Sequence, residues 1–134
     1  MGVGDFSAAV VRFAFFEREQ EACFRCRRPL RFEDRGIAWS AHHRRPRGNG
    51  GTSDPRVGSI SNCLILCGSG TTGCHGWVET YRAMARDYGY LIPLNMSLDF
   101  VAPAGVRVKR EDGTWWLLPA SGWAVEVEDE GAWR

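Results

Sequence analysis

No stretch of this chain approaches the roughly 18 to 20 uninterrupted apolar residues of a membrane-spanning helix, and the opening MGVGDFSAAVVRF has no basic segment ahead of an apolar core. These absences argue against a membrane protein and against an exported one, so the expected location is the cytoplasm. Lysine is almost missing as well, since sixteen of the seventeen basic side chains are arginine. Guanidinium groups favour two-pronged contacts with phosphate, although an arginine excess also follows from a GC-rich genome. Neither an internal repeat nor a true linker interrupts the 134 residues, which fit one domain over 1–134 with ordinary globular composition.

Net charge is nearly absent overall, at +1, but it is unevenly spread. Residues 23–60 carry nine Arg against three acids, a net of +6, whereas residues 111–134 carry six acids against one Arg, a net of −5. A basic stripe beside a nearly neutral remainder suits a polyanion, and it equally suits a solvated loop.

Five cysteines in a chain expected in a reducing compartment point to metal rather than disulfides, with one thiol left over. Cys23-x-x-Cys26 sets two thiolates on one tight turn, and Cys67 and Cys74 form a second, wider pair separated by GSGTTG. Two buried thiols or a redox-active CxxC would use the same residues. A small domain with short strands gains much from a metal staple, and a structural zinc held by Cys23, Cys26, Cys67 and Cys74 is the favoured reading. Cys63 alternates with core residues and reads as a buried thiol.

Around these pairs, Asp5 or Ser7 caps a helix with Phe6, Ala9, Val10, Phe13 and Phe16 on its core face, running to about Ala22. A short strand covers Ile37 to His42 with His43 at its end, and residues 44–61 form a basic Gly/Pro-rich loop. Cys63 to Leu66 make a second strand, and a helix runs from near His75 to Gly89. Val106–Arg110 and Thr114–Leu118 form a hairpin, Trp123–Val127 adds a third strand, and the acidic tail 129–134 is expected to fray. Residues 93–128 make up a β extension, and residues 23–92 carry the resemblance to a known motif described below.

All three histidines fall in one ordered array: strand, His42-His43, loop, Asn62, strand, His75, helix. The segments AHHRRPRGNGG and SNCLILCGSGTTGCHGWVE resemble the HNH nuclease motif, especially that of small HNH endonucleases of actinobacterial phages and prophages. Twelve residues separate Asn62 from His75, four more than is common in that family, and GSGTTG accounts for the excess.

The resemblance implies an α+β fold with a ββα-metal centre, and a metal-dependent endonuclease or nickase acting on double-stranded DNA in a bacterial or phage-infected cell. His43 matches the general base, and imidazole has a suitable pKa for taking a proton from water. His42 and His75 match ligands of a catalytic Mg²⁺ or Mn²⁺, and Asn62 would orient the base or support the ligands. Strand alternation is expected to point the His42 and His43 side chains apart. Many relatives carry a further histidine where this chain has Glu79, which reads as a third ligand, an acceptor behind the ligands, or a solvated helix residue. Arg44, Arg45 and Arg47 are expected to clamp phosphates, and Gly48, Gly50 and Gly51 to let the loop backbone approach them. Related phage enzymes often act beside a packaging terminase, which makes packaging proteins an implied partner. Three other readings use the same residues: a zinc-stapled DNA-binding module without cleavage, a packaging or assembly component docking an acidic partner, and, more weakly, a Cys/His protease.

Overall fold

A computed structural model describes residues 2–48 and 52–133. The expectations for Gly50 and Gly51 lie outside the described residues. Ser7 caps helix α1, Ala8–Arg12, by accepting from the Val10 amide at 3.1 Å. The helix then widens to a π-helical turn over Phe13–Arg18 and stops, short of the expected Ala22, because Gln20 and Glu21 take left-handed φ angles of 56° and 60°. The buried stripe also differs from the expected one. Val11, Ala14 and Phe15 face the core while Ala9 is exposed, and Arg18 turns inward with Glu19 as a fully buried ion pair. Arg18 donates to the carbonyls of Ile60 and Cys63, so the buried charge is tied to the entrance of the second strand.

Strands β1 (Trp39–His43) and β2 (Cys63–Cys67) pair antiparallel with Trp39 opposite Cys67 and His43 opposite Cys63. Every residue of β2 is buried, as its continuous apolar run demands, and Cys63 is among them with its thiol pushed up to about 12 by burial. Helix α2, Gly73–Thr80, packs on this hairpin. The single helix expected to run to Gly89 is bent instead. Tyr81 has φ −111° and ψ 58°, and α3 follows over Arg82–Asp87. The bend stacks Tyr88 on Trp77 with centroids 6.3 Å apart, whereas eleven residues of straight helix would separate them by about 16 Å. Gly89 ends the element with φ +86°, and an added Cβ there would run into the Arg107 carbonyl.

Beyond the ββα unit, β3 (Val108–Lys109), β4 (Trp115–Leu117) and β5 (Val125–Val127) form a separate antiparallel sheet in the order β3-β4-β5. The fold is therefore α+β with two small antiparallel sheets. The acidic tail does not fray over its described part. Ala132 is buried, the Trp133 indole N–H donates to the Arg86 carbonyl, and Glu130 pairs with Arg107. No helix among the described residues is long and apolar enough to cross a membrane.

Arg44 corrects the expectation of a phosphate clamp. Its side chain is fully buried and donates to the carbonyls of Gly89 (2.9 Å), Ser61 (3.1 Å), Pro103 (2.9 Å) and Val106 (2.6 Å). Burial, with nearby Arg18, lowers its pKa to about 9, and four carbonyl dipoles take the place of a counter-ion. Arg44→Lys cannot reproduce this fork, because an ammonium offers three donors to four carbonyls and at least one loses its side-chain partner. It should cost ~3 kcal/mol, or about 10 °C in Tm by thermal denaturation, and an unchanged Tm would refute the role.

Candidate metal centres

Four cysteines meet at one point. Phe24 N–H binds the Ile65 carbonyl at 2.8 Å and Arg27 N–H binds the Cys23 carbonyl at 3.0 Å, which lays the Cys23–Cys26 turn against β2. On the other side Gly68 (φ +85°) and Gly73 (φ +63°) fold GSGTTG back on itself, and a Cβ on Gly73 would sit 2.6 Å from the Cys67 carbonyl oxygen. The thiol sulfurs of Cys23, Cys26, Cys67 and Cys74 all lie within 4.8 Å of one another, and Cys26 and Cys67 are 3.8 Å apart. Sulfurs about 2.3 Å from a tetrahedral zinc are about 3.8 Å from each other, so the residues present fit that ion.

Electrostatics supports the fit. A hydrogen bond from the Cys74 thiol and three backbone amides brings the Cys23 thiol down to about 5. Burial raises Cys26 to about 11 with the Cys23 charge adding to it, and Cys74 is raised by its bond to Cys23 and by burial. Crowded thiolates cannot all be charged unless a cation joins them. The Cys74 amide donates to Cys67 Sγ at 3.3 Å, and Arg25, lying 3.9 Å over the Trp77 ring, donates to Cys74 Sγ at 3.3 Å, further offsetting sulfur charge.

A second group gathers His42, His75 and Glu79, again with ligand atoms within 4.8 Å of one another. Hydrogen bonds set the tautomers. His42 Nε2 lies 2.8 Å from the Tyr90 carbonyl, which can only accept, so Nε2 carries the proton and Nδ1 keeps its lone pair. The Ser40 hydroxyl donates to the Gly68 carbonyl at 3.2 Å and accepts from His75 Nδ1 at 3.1 Å, which leaves Nε2 of His75 bare. Burial holds His42 down at about 3 and also lowers His75, against the opposing charge of Glu79. Both imidazoles are therefore neutral, the state that binds a metal. Glu79, at the exposed edge, shares its carboxylate with Arg82 at 2.9 Å.

His43 stands beside this group but outside it. Its Nε2 is 2.7 Å from the Gly4 carbonyl and Phe6 stacks on its ring at 3.9 Å, so the free lone pair is on Nδ1. Burial lowers its pKa, although the Gly4 carbonyl opposes that shift. The expectation that strand alternation sends His42 and His43 apart holds for their partners but not for their surroundings. Both line one cleft of about 370 Å³ together with Arg47, His75, Glu79 and Arg82.

Two further sequence expectations need correction here. The Asn62 side chain hydrogen-bonds none of His42, His43, His75 or Glu79; its Oδ1 accepts from the Arg45 amide at 2.7 Å and its Nδ2 donates to the Arg45 and Val57 carbonyls. It staples the loop to the hairpin, a use its motif position does not reveal. Arg45 donates to the carbonyls of Pro93, Leu94 and Met96 and is thereby committed to the 93–96 segment. With Arg44 buried, only Arg47 of the three loop arginines lines the cleft, half-exposed and paired with Asp5. Arg82 was missed; it opens α3 just beyond the bend at Tyr81 and meets Glu79 of α2 across that bend. Gly4, Phe6 and Ser40 were missed for want of any local signal.

Comparison with protein-family models, curated proteins and solved structures gave no match, so the reading of both centres rests on their own geometry. Metal analysis after extensive dialysis should find one tightly held zinc that Cys23→Ser releases with loss of folding. A second divalent ion should bind more weakly, and His75→Ala should abolish it while leaving the zinc. Loss of the zinc as well in folded His75→Ala would refute two separate centres.

Proposed function

We propose that this chain is a metal-dependent endonuclease of the HNH type that hydrolyses phosphodiester bonds in double-stranded DNA. The observation that carries this reading is the cleft itself. An imidazole with one bare nitrogen lies next to, and is not part of, a His/His/Glu ligand group, and two arginines share the opening. Separation of base from ligands is what hydrolysis requires, because a nitrogen bound to the metal cannot also accept a proton.

His42, His75 and Glu79 would hold the ion, and two imidazoles with a carboxylate accommodate Mn²⁺ or Mg²⁺. When bound, such an ion supplies positive charge to the phosphoryl oxygens and the departing 3′-oxygen. The chain's own residues do the rest. Tyr90 and Ser40 keep the ligand nitrogens bare, and His43 Nδ1 takes the proton from the attacking water. Arg47 and Arg82 hold phosphate oxygens at the mouth of the cleft, with Arg47 exchanging its Asp5 partner for phosphate. Asn62 holds the loop that carries Arg45 and Arg47 in register with β2. Action beside a packaging terminase belongs to the same reading and follows from the motif resemblance alone.

A zinc-stapled DNA binder without cleavage would draw on the basic stripe, and the burial of Arg44 and the commitment of Arg45 weaken that alternative. Plasmid nicking in Mn²⁺ or Mg²⁺ separates the two. His43→Ala should lose about 10²- to 10⁴-fold in rate while keeping zinc content and DNA affinity, and equal cutting by the variant would refute its role as base. Arg82→Ala should weaken DNA binding and reduce the slope of log affinity against log salt by about one, whereas an unchanged slope would remove Arg82 from the interface.

A further inference from the structure

The base is held from outside the ββα unit. Residues 2–7 pass over the end of β1, turning tightly at 2–5, where the Asp5 amide donates to the Gly2 carbonyl at 3.1 Å, before entering α1. Ser7 caps α1, Phe6 is buried on the His43 ring, and the Asp5 carboxylate pairs with Arg47 and accepts from the Gly2 amide. The Gly4 carbonyl meets His43 Nε2 at 2.7 Å. Close approach depends on two glycines. A Cβ on Gly4 would lie 2.5 Å from Thr52 Cγ2 and 3.1 Å from Arg47 Cγ, and one on Gly58 would lie 2.7 Å from the Asp5 carbonyl.

We infer that Gly4–Phe6 is a positioning strap for His43. The Gly4 carbonyl fixes the ring as its Nε2–H tautomer and Phe6 holds the ring plane, so that Nδ1 is the nitrogen left to act. This rests on the nuclease reading of the cleft and adds to it the device that sets the tautomer of the base. The interaction is separate from ligand binding, since Gly4 and Phe6 touch neither His75 nor Glu79 among the described contacts. Asp5 is the anchor of the strap rather than its working part. Its pairing with Arg47 keeps the segment docked before a phosphate arrives, and the cap, the buried Phe6 and the Gly58 contact hold it afterwards.

The test pairs kinetics with side-chain ¹⁵N NMR of His43 in the zinc-loaded protein, at one alkaline pH where the ring is neutral. The wild-type spectrum should show Nε2 protonated and Nδ1 bare. Gly4→Ala, whose Cβ forces the carbonyl away, and Phe6→Leu, which removes the stack, should each give a mixture of tautomers. Each should lower kcat by about 10- to 100-fold with zinc content unchanged, and Phe6→Leu, which does not crowd Arg47, should also leave KM for DNA unchanged. Phe6→Tyr, which keeps the stack, should retain most of kcat and the single tautomer. If Gly4→Ala does not fold, the Phe6 pair decides alone. A wild-type ring that is Nδ1–H or mixed overturns the strap, as do variants that mix tautomers without losing kcat, or Phe6→Tyr falling as far as Phe6→Leu. A wild-type protein that binds both metals and cuts no DNA overturns the nuclease reading instead, and the tautomer comparison then still tests whether the strap sets the ring.

Discussion

Four sulfurs packed within 4.8 Å of one another are the constraint on which the rest depends. Thiolates at that density repel unless a cation joins them, and joining them clamps three pieces of chain that have few other reasons to meet: the Cys23–Cys26 turn, the end of β2 and the start of α2. His75 follows Cys74 directly, so the clamp that closes the sulfur site also sets where the first turn of α2 lies against β1. Ser40 spans the two centres, with its hydroxyl donating to the Gly68 carbonyl inside the cysteine loop and accepting from His75. The sulfur site therefore carries the orientation of the His75 imidazole as well as the fold.

A second tie runs through polar side chains buried in a loop that looks solvated. Arg44 and Asn62 between them satisfy or draw on the backbone of the 44–62 loop, the end of α3 and the 103–106 turn. Loop backbone buried at the junction of two sheets needs partners for its carbonyls, and a guanidinium with five donors supplies them compactly. The cost is a charged group without a carboxylate, visible in the depressed pKa of Arg44. The β3-β4-β5 sheet is joined to the rest of the chain next to this turn, where the Lys109 amide donates to the Tyr88 carbonyl and the Lys109 carbonyl accepts from the Tyr90 hydroxyl.

The histidines divide their work through their hydrogen-bond acceptors. Each of His42 and His43 gives its Nε2 proton to a backbone carbonyl and keeps Nδ1 bare, but Tyr90 belongs to the segment after α3 and Gly4 to the segment before α1. Adjacent residues on one strand are thus committed to different neighbours, one within a ligand group and one beside it. The carbonyl in each case does what protonation state alone could not, which is to choose the nitrogen.

Much of this was legible in the sequence. Cysteine spacing announced a four-thiolate cluster, because the ligand turn is local and glycines on both sides of the wider loop permit the return. The order of His42, His43 and His75 about two short apolar runs announced a hairpin and a helix with imidazoles facing each other, because β-strand and helix periodicity are local properties too. The direction of Arg44 and Arg45, the use of Asn62, the bend at Tyr81 and the docking of the tail were decided only by tertiary structure. Whether an arginine meets solvent or four carbonyls depends on which backbone it encounters after some sixty residues of intervening chain, as Arg44 and Val106 show. Nothing near Gly4 and Phe6 marks them as partners of a histidine 39 and 37 positions away, since that pairing exists only once α1 has packed on the hairpin.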